Sequence, residues 1–173
     1  MRRMKIGFIG SQGCGKTTTA YALATELKKR KHDVYVLSEV ARSCPFELNE
    51  GATEKSQMWI FGKQLTREQS CKGEILVSDR TLMDSFCYGI RACPKFFIPL
   101  IPFVKEYLKT YDFIFYLKPN DDYLLDDGIR STNKTFRDEI DRIVMQYIKE
   151  LDVNYTEVKS GDVEAMVKVI YDE

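Results

Sequence analysis

The sequence predicts an α/β fold in which a parallel β-sheet is covered by helices on both faces. Short, β-rich apolar runs alternate along the chain with longer segments whose apolar residues recur every three to four positions. This alternation is typical of right-handed strand–helix–strand crossovers, which build parallel sheets. No repeat, low-complexity tract or linker interrupts the 173 residues, so we expect one domain spanning residues 1–173.

The predicted elements follow in order along the chain. The first strand contains Ile6, Phe8 and Ile9, and four further strands are predicted at residues 34–37, 74–78, 112–117 and 154–158. Helical patterns cover roughly residues 16–31, 53–71, 82–88, 103–110, 135–151 and 162–171. Ligands of parallel α/β sheets gather at the carboxyl ends of the strands. The residues that follow each strand are therefore the candidates for function.

The segment GSQGCGKT, residues 10–17, follows the first strand and opens the first predicted helix. It matches G-x-x-x-x-G-K-[ST], in which glycines let successive backbone N–H groups point at a phosphate and the helix N-terminus adds positive potential. We expect Lys16 to reach the β- and γ-phosphates and the Thr17 hydroxyl to take one position on Mg²⁺. The full set of expected nucleotide-binding residues here is Gly10, Gln12, Gly13, Cys14, Gly15, Lys16, Thr17 and Thr18.

Charged residues also follow the second and third strands. Asp79 closes the third strand, where a phosphate-loop protein places a second Mg²⁺-binding carboxylate, although an aspartate there also suits a helix cap. Glu39 follows the second strand and is a candidate base for an acceptor hydroxyl, the alternative being a surface ion pair with Arg42. We expect Arg42 and Arg80 to bind the acceptor or the transferring phosphate.

The segment KPNDDYLLDDGIR after the fourth strand is rich in carboxylates and ends at Arg130. We expect a lid over approximately residues 119–137, whose arginine neutralises charge on a transferred phosphoryl group. After the fifth strand, KSGD places Gly161 on the nucleotide side. In the helix over residues 53–71, Gln64 is a candidate amide ligand for a nucleobase, and a core position is the alternative.

Composition excludes several other classes of function. Lys+Arg and Asp+Glu both total 26, so no overall charge draws the chain to nucleic acid or an anionic membrane, and a local basic groove stays open as a possibility. A single histidine excludes a multi-histidine metal site. The five cysteines form no C-x-x-C pair, which argues against a disulfide framework or a zinc site. With no apolar run of membrane-spanning length, we expect a cytoplasmic protein.

Two motifs of GTPases are missing. The nearest match to N-K-x-D is TNKTF, in which Phe136 stands at the aspartate position, and Leu82 stands where D-x-x-G would need its glycine. Instead, the order GSQGCGKTT, SEVAR, SDR and DDGIR resembles the P-loop kinase family that contains ribosylnicotinamide kinase domains. The residues that match its two later segments are Glu39, Ala41 and Arg42, and then Asp126, Asp127, Gly128 and Arg130.

The Asp79–Arg80 pair is also similar to that of nucleoside and nucleoside monophosphate kinases. The resemblance implies a P-loop kinase-type three-layer sandwich with a lid and a five-stranded parallel sheet in the order 2-3-1-4-5. It implies ATP and Mg²⁺, with the acceptor near Glu39, Arg42 and Asp79, and leaves open whether Glu39 or Asp79 is the base. The segment CPKFFIPLIPFVKEY matches no motif that would define the acceptor.

Three functional hypotheses follow. The first is phosphoryl transfer from ATP to a small nucleoside or nucleotide, of the ribosylnicotinamide or (deoxy)nucleoside and monophosphate type, by a monomer or homodimer. The second is a kinase that acts on DNA, RNA or modified bases in DNA, whose substrate binding would weaken steeply with salt. The third is a nucleotide-dependent regulatory ATPase without a phosphoryl acceptor.

Overall fold

The computed structural model describes residues 3–125 and 128–172. Within them, five strands form one sheet in the order β2-β3-β1-β4-β5, and every strand pair is parallel. The predicted order 2-3-1-4-5 is thus confirmed. The strands are β1 Met4–Ile9, β2 Val34–Leu37, β3 Ile75–Ser78, β4 Phe113–Tyr116 and β5 Thr156–Glu157.

Seven α-helices connect and cover the strands in the described residues. They are α1 Lys16–Lys29, α2 Glu54–Ser70, α3 Leu82–Ala92, α4 Pro94–Phe97, α5 Ile101–Leu108, α6 Lys134–Glu150 and α7 Val163–Tyr171. Six of them lie where the sequence predicts a helix. The exception is α4, whose four residues are too few for a helical period to show. Across the described ranges, no helix has both the length and the apolar character needed to cross a membrane.

The helices lie on both faces of the sheet, which gives the expected three layers. Ile6 and Phe8 of β1 pack with α1 and α7 on one face, and Ile9 packs with α3, α5 and α6 on the other. This division follows from the alternation of side chains along a strand. Because both faces are buried, the ligand-binding edge is left at the carboxyl ends of the strands.

Alanine substitutions at two helical glycines should change the free energy of unfolding in opposite directions. A Cβ at Gly89 in α3 would lie 2.4 Å from the ring of Phe97, whereas a Cβ at Gly62 in α2 meets nothing within 4 Å. Gly89→Ala should therefore lower the free energy of unfolding by about 1–3 kcal/mol through overpacking. Gly62→Ala should raise it by about 1 kcal/mol through helix propensity. Urea unfolding measures both, and shifts of the same sign would contradict the packing shown by the structure.

Candidate active site

The phosphate loop, residues 10–17, joins β1 to α1. Gly13 and Gly15 have φ angles of 65° and 82°, in the left-handed region that favours glycine. A Cβ at Gly13 would lie 2.6 Å from Leu124, and one at Gly15 would lie 2.9 Å from Ser160. The two glycines thus allow both a tight turn and a close approach of neighbouring segments. This is the local geometry that the motif predicts.

Lys16 is buried inside this loop. Its Nζ donates hydrogen bonds to the carbonyl oxygens of Gly10, at 2.7 Å, and of Ser11, and lies 3.3 Å from the sulfur of Cys14. The ammonium group is therefore held by backbone oxygens of its own loop. Thr18, at the start of α1, is exposed.

Asp84 anchors the loop from α3 and is a residue that the sequence analysis missed. Its carboxylate accepts hydrogen bonds from the backbone N–H of Gly10, at 3.1 Å, and from the backbone N–H and hydroxyl of Thr81, both at 2.9 Å. Burial raises the pKa of Asp84, and the nearby Lys16 and Arg80 act in the opposite direction. The Thr81-x-x-Asp84 spacing indicates a capping box, so the role of Asp84 at the start of α3 could have been predicted from the sequence. The hydrogen bond between Asp84 and Gly10 could not, because it joins distant segments of the chain.

Two side-chain oxygen groups, of Thr17 and Asp79, lie together at the end of the loop. The Thr17 hydroxyl donates to Asp79 Oδ2 at 2.7 Å. Burial raises the pKa of Asp79, and Glu39 raises it further. Mg²⁺ in phosphate-transferring sites typically takes one or two protein oxygens and completes its shell with phosphate and water. The pair fits that requirement, and the described part of the chain holds no cluster of three or more His, Cys, Asp or Glu residues for a metal.

Glu39 lies between two arginines that come from different parts of the chain. Arg80 Nε lies 2.7 Å from Oε1, and Arg130 Nη2 donates to Oε2 at 3.0 Å and to the Thr17 hydroxyl at 2.9 Å. Arg42 is more exposed and lies 3.7 Å from the same carboxylate. Burial alone would raise the pKa of Glu39, but the two close arginines lower it to about 2. Glu39 is therefore ionised at neutral pH.

A cleft with a volume of about 50 Å³ lies beside Glu39, Arg80 and Arg130. Its further polar lining comes from Gln12, Asn49, Gln57, Ser85 and Tyr88, and its apolar lining from Ala41, Leu48, Ile60 and Ile129. Tyr88 donates its hydroxyl hydrogen to Gln12 Oε1 at 2.7 Å. Among the described residues, three buried side-chain atoms have no hydrogen-bond partner, namely Ser11 Oγ in the phosphate loop and two amide atoms of the cleft lining, Gln12 Nε2 and Gln57 Oε1. The cleft lining therefore contains an unpaired donor group and an unpaired acceptor.

The predicted lid, residues 119–137, contacts both sides of the site. On the phosphate-loop side, the backbone N–H of Asn120 donates to the carbonyl of Gly13 at 3.4 Å. On the cleft side, Asn49 Nδ2 donates to the carbonyl of Ile129 at 2.6 Å, and the Ser131 hydroxyl donates to Glu50 at 2.6 Å. Two residues of the matched lid segment, Asp126 and Asp127, lie outside the described residues.

Gln64 and Gly161 lie next to the site in different ways. Gln64 is buried behind the ends of the strands, where its Nε2 donates to the carbonyl of Arg80 at 2.9 Å. A contact between Gln64 and a ligand stays a prediction, and the amide of α2 that lines the cleft is Gln57. The backbone N–H of Gly161 donates to the Thr19 hydroxyl at 2.9 Å, so the loop after β5 lies against the start of α1.

A family model described as an AAA domain matches residues 5–165. The chain belongs to this family. This protein is also similar to two solved structures of deoxyadenosine kinase from M. mycoides. One, with bound dCTP, has a TM-score of 0.67 and 17% identity and covers 98% of this chain and 97% of that one. The other, with the products dCMP and a flexible dCDP bound, has a TM-score of 0.64, 16% identity and the same coverage.

A comparison with curated proteins finds no match. At identities of 16% and 17%, the likeness to solved structures shows the fold. This AAA domain chain is therefore a P-loop NTPase with the fold of nucleoside kinases, as its motifs indicate. The resemblance to the P-loop kinases is confirmed at that level.

The depressed pKa of Glu39 predicts a pH-dependent stability. A carboxylate whose pKa falls from 4.5 to about 2 on folding stabilises the protein above pH 4.5, and this contribution disappears as the pH falls toward 2. A difference of this size corresponds to about 3 kcal/mol. Glu39→Gln should therefore flatten the fall in the free energy of unfolding between roughly pH 5 and pH 3.

Urea unfolding at a series of pH values measures this slope. Glu164→Gln removes an exposed carboxylate from α7, where Glu164 pairs with Lys168, and serves as the control for the change of net charge. An equal slope in the wild type and in Glu39→Gln would contradict the buried ion cluster.

Proposed function

We propose that the protein is an ATP-dependent kinase that transfers the γ-phosphoryl group to a small nucleoside or nucleotide. The observation that carries the proposal is the position of Arg130. Its guanidinium donates both to Thr17, in the phosphate loop, and to Glu39, in the cleft. A phosphate-binding loop and a small cleft thus adjoin at one cation, as transfer between two bound molecules requires.

On the donor side, the residues proposed to hold the phosphates of ATP are Gly10, Gln12, Gly13, Cys14, Gly15, Lys16, Thr17 and Thr18, with Gly161 beside them. Mg²⁺ would be held by Thr17 and Asp79, and when bound it neutralises charge on the phosphates. Lys16 would supply a further positive charge to the β- and γ-phosphates. Arg130 would turn from Glu39 toward the transferring group and stabilise the charge that develops on it.

On the acceptor side, Glu39 is the proposed base. It lines the cleft, whereas Asp79 is bonded to Thr17 in the phosphate loop. With a hydroxyl acceptor, its oxygen forms a bond to the γ-phosphorus, the bond from that phosphorus to the β,γ-bridging oxygen breaks, ADP leaves, and Glu39 takes the hydroxyl proton. A monophosphate acceptor reacts through a phosphate oxygen and needs no base. Arg80 and Arg42 would orient the acceptor or the phosphoryl group. Withdrawal of Arg130 from Glu39 removes one stabilising charge and makes the carboxylate more basic.

The enclosure of the cleft favours a small acceptor over a polynucleotide. The cleft has a volume of about 50 Å³, and two of its lining residues, Asn49 after β2 and Ile129 in the predicted lid, are hydrogen-bonded to each other. Gln12 and Gln57 offer a buried donor and a buried acceptor beside apolar side chains, which suits a heterocyclic base. The similarity in fold to deoxyadenosine kinase supports the same substrate class.

Transfer of label from γ-labelled ATP with Mg²⁺ tests the proposal. The acceptors to offer are deoxynucleosides, nucleosides, their monophosphates, ribosylnicotinamide and DNA oligomers. Label on one class of small molecule would support the proposal and name the acceptor. Label on DNA alone would replace it with a polynucleotide kinase. Free phosphate alone, with every acceptor, would point to a regulatory ATPase.

Lys16→Ala should lower the rate of phosphoryl transfer by on the order of 10²–10³ or more, because the lysine charge at the transferring phosphate is lost. Lys28→Ala, at an exposed position near the end of the same helix, is the matched control and should retain wild-type activity. Initial rates with labelled ATP measure both variants, and circular dichroism checks that each is folded. Normal turnover by Lys16→Ala would refute the whole assignment.

A second pair of variants separates the base from the metal ligand. Glu39→Gln should lower kcat by about 10²–10⁴ and leave the Mg²⁺ concentration needed for half-maximal rate close to the wild-type value, because the base is lost while both proposed Mg²⁺ ligands, Thr17 and Asp79, are retained. Asp79→Asn should raise that Mg²⁺ concentration, because the amide is a weaker ligand than the carboxylate. Rates measured across Mg²⁺ concentrations distinguish the two roles. The reverse pattern would make Asp79 the base.

A further inference from the structure

A buried polar network lies behind the ends of the strands and centres on Glu68 of α2. The Glu68 carboxylate is buried and receives four donors: Gln64 Nε2 at 2.6 Å, Tyr111 OH at 2.6 Å, Tyr107 OH at 2.9 Å and Lys5 Nζ at 2.6 Å. A carboxylate has about four acceptor positions, so this one is saturated. Saturation by groups from three different elements fixes its orientation.

Two members of the network also bind the backbone that carries Asp79 and Arg80. Gln64 Nε2 donates to the carbonyl of Arg80 at 2.9 Å and lies 3.2 Å from the Ser78 hydroxyl. The Tyr111 hydroxyl, which donates to Glu68, accepts a hydrogen bond from the backbone N–H of Leu82 at 3.1 Å. The segment of residues 78–82, named here the β3 exit, is thus held near both of its ends.

The β3 exit delivers two side chains to the proposed active site. Asp79 accepts the hydrogen bond from Thr17, and the Arg80 side chain lies 2.7 Å from Glu39. Each of these contacts depends on where the backbone of the exit lies. Misplacement of reacting groups by about 1 Å can lower a rate on the order of 10²-fold. The network behind the exit therefore influences the proposed phosphoryl transfer through the backbone of the exit.

We propose that Gln64 and Tyr111, oriented by Glu68, are positioning residues that fix the β3 exit and thereby hold Arg80 against Glu39. The role of these residues in catalysis rests on the proposed function. Gln64 then acts through the backbone of Arg80, from behind the cleft. Tyr107 supplies the comparison, because it donates to the same Glu68 carboxylate while its other hydrogen bond is with Gln69.

The test compares Tyr111→Phe and Gln64→Leu with Tyr107→Phe. Each tyrosine variant removes one hydroxyl that donates to Glu68, but only Tyr111→Phe releases the β3 exit. Tyr111→Phe and Gln64→Leu should lower kcat by about 10-fold to 10²-fold and raise the acceptor KM. Tyr107→Phe should leave kcat within about twofold. If Gln64→Leu does not fold, the comparison of Tyr111→Phe with Tyr107→Phe still tests the proposal.

A second readout needs no phosphoryl acceptor. Carbon-13 NMR titration of the Glu39 carboxyl group, assigned with Glu39→Gln, follows the pairing with Arg80 directly. Displacement of Arg80 should raise the pKa of Glu39 in Tyr111→Phe and Gln64→Leu and leave it at the wild-type value in Tyr107→Phe. The same pKa in all three variants, or equal kcat in the two tyrosine variants, would overturn the proposal.

The two readouts also separate this inference from the proposed function. If the wild type transfers phosphate to no acceptor and the Glu39 titration still shifts as expected, the network does position Arg80 and only the proposed function falls. If transfer occurs and the titration does not shift, the proposed function stands and the positioning role is wrong.

Discussion

The arrangement of the site depends on the ion pairs that the buried carboxylate of Glu39 forms with Arg80 and Arg130. The carboxylate joins the end of β2 to the end of β3 through Arg80 and to the predicted lid through Arg130. Removal of one partner from such a cluster leaves an uncompensated charge out of water, at a cost of several kcal/mol. The three segments therefore constrain one another beside the cleft that Glu39, Arg80 and Arg130 line.

The order of the strands makes this meeting possible. β3 lies between β2 and β1, so its exit residues face the end of β2 on one side and the phosphate loop on the other. Arg80 accordingly reaches Glu39, and the preceding Asp79 reaches Thr17. The adjacent residues Asp79 and Arg80 can contact different neighbours because β3 is the middle strand of the three and lies next to both β1 and β2.

The features encoded by short segments could be predicted from the sequence. The apolar runs indicate the strands, and the phosphate loop contains its own turn glycines and lysine. Contacts that depend on how distant elements pack could not be predicted, such as the bond between Asp84 and Gly10. Gln57 and Gln64 show the limit clearly. They lie seven residues apart on one face of α2, so periodicity favours neither, and only the packing of α2 against β3 directs Gln57 to the cleft and Gln64 behind it.

Arg130 is hydrogen-bonded to both halves of the proposed site, to Thr17 in the phosphate loop and to Glu39 in the cleft, so ligands bound to the two halves would depend on each other thermodynamically. A ligand that draws the guanidinium toward Thr17 takes one positive charge away from Glu39, and a ligand that displaces it from Glu39 makes it available at the phosphate loop. By linkage, each ligand changes the affinity of the other by the same factor. In the proposed kinase, a single side chain would thereby couple the binding of two unlike ligands within one small chain, a coupling that larger proteins obtain from the movement of subunits.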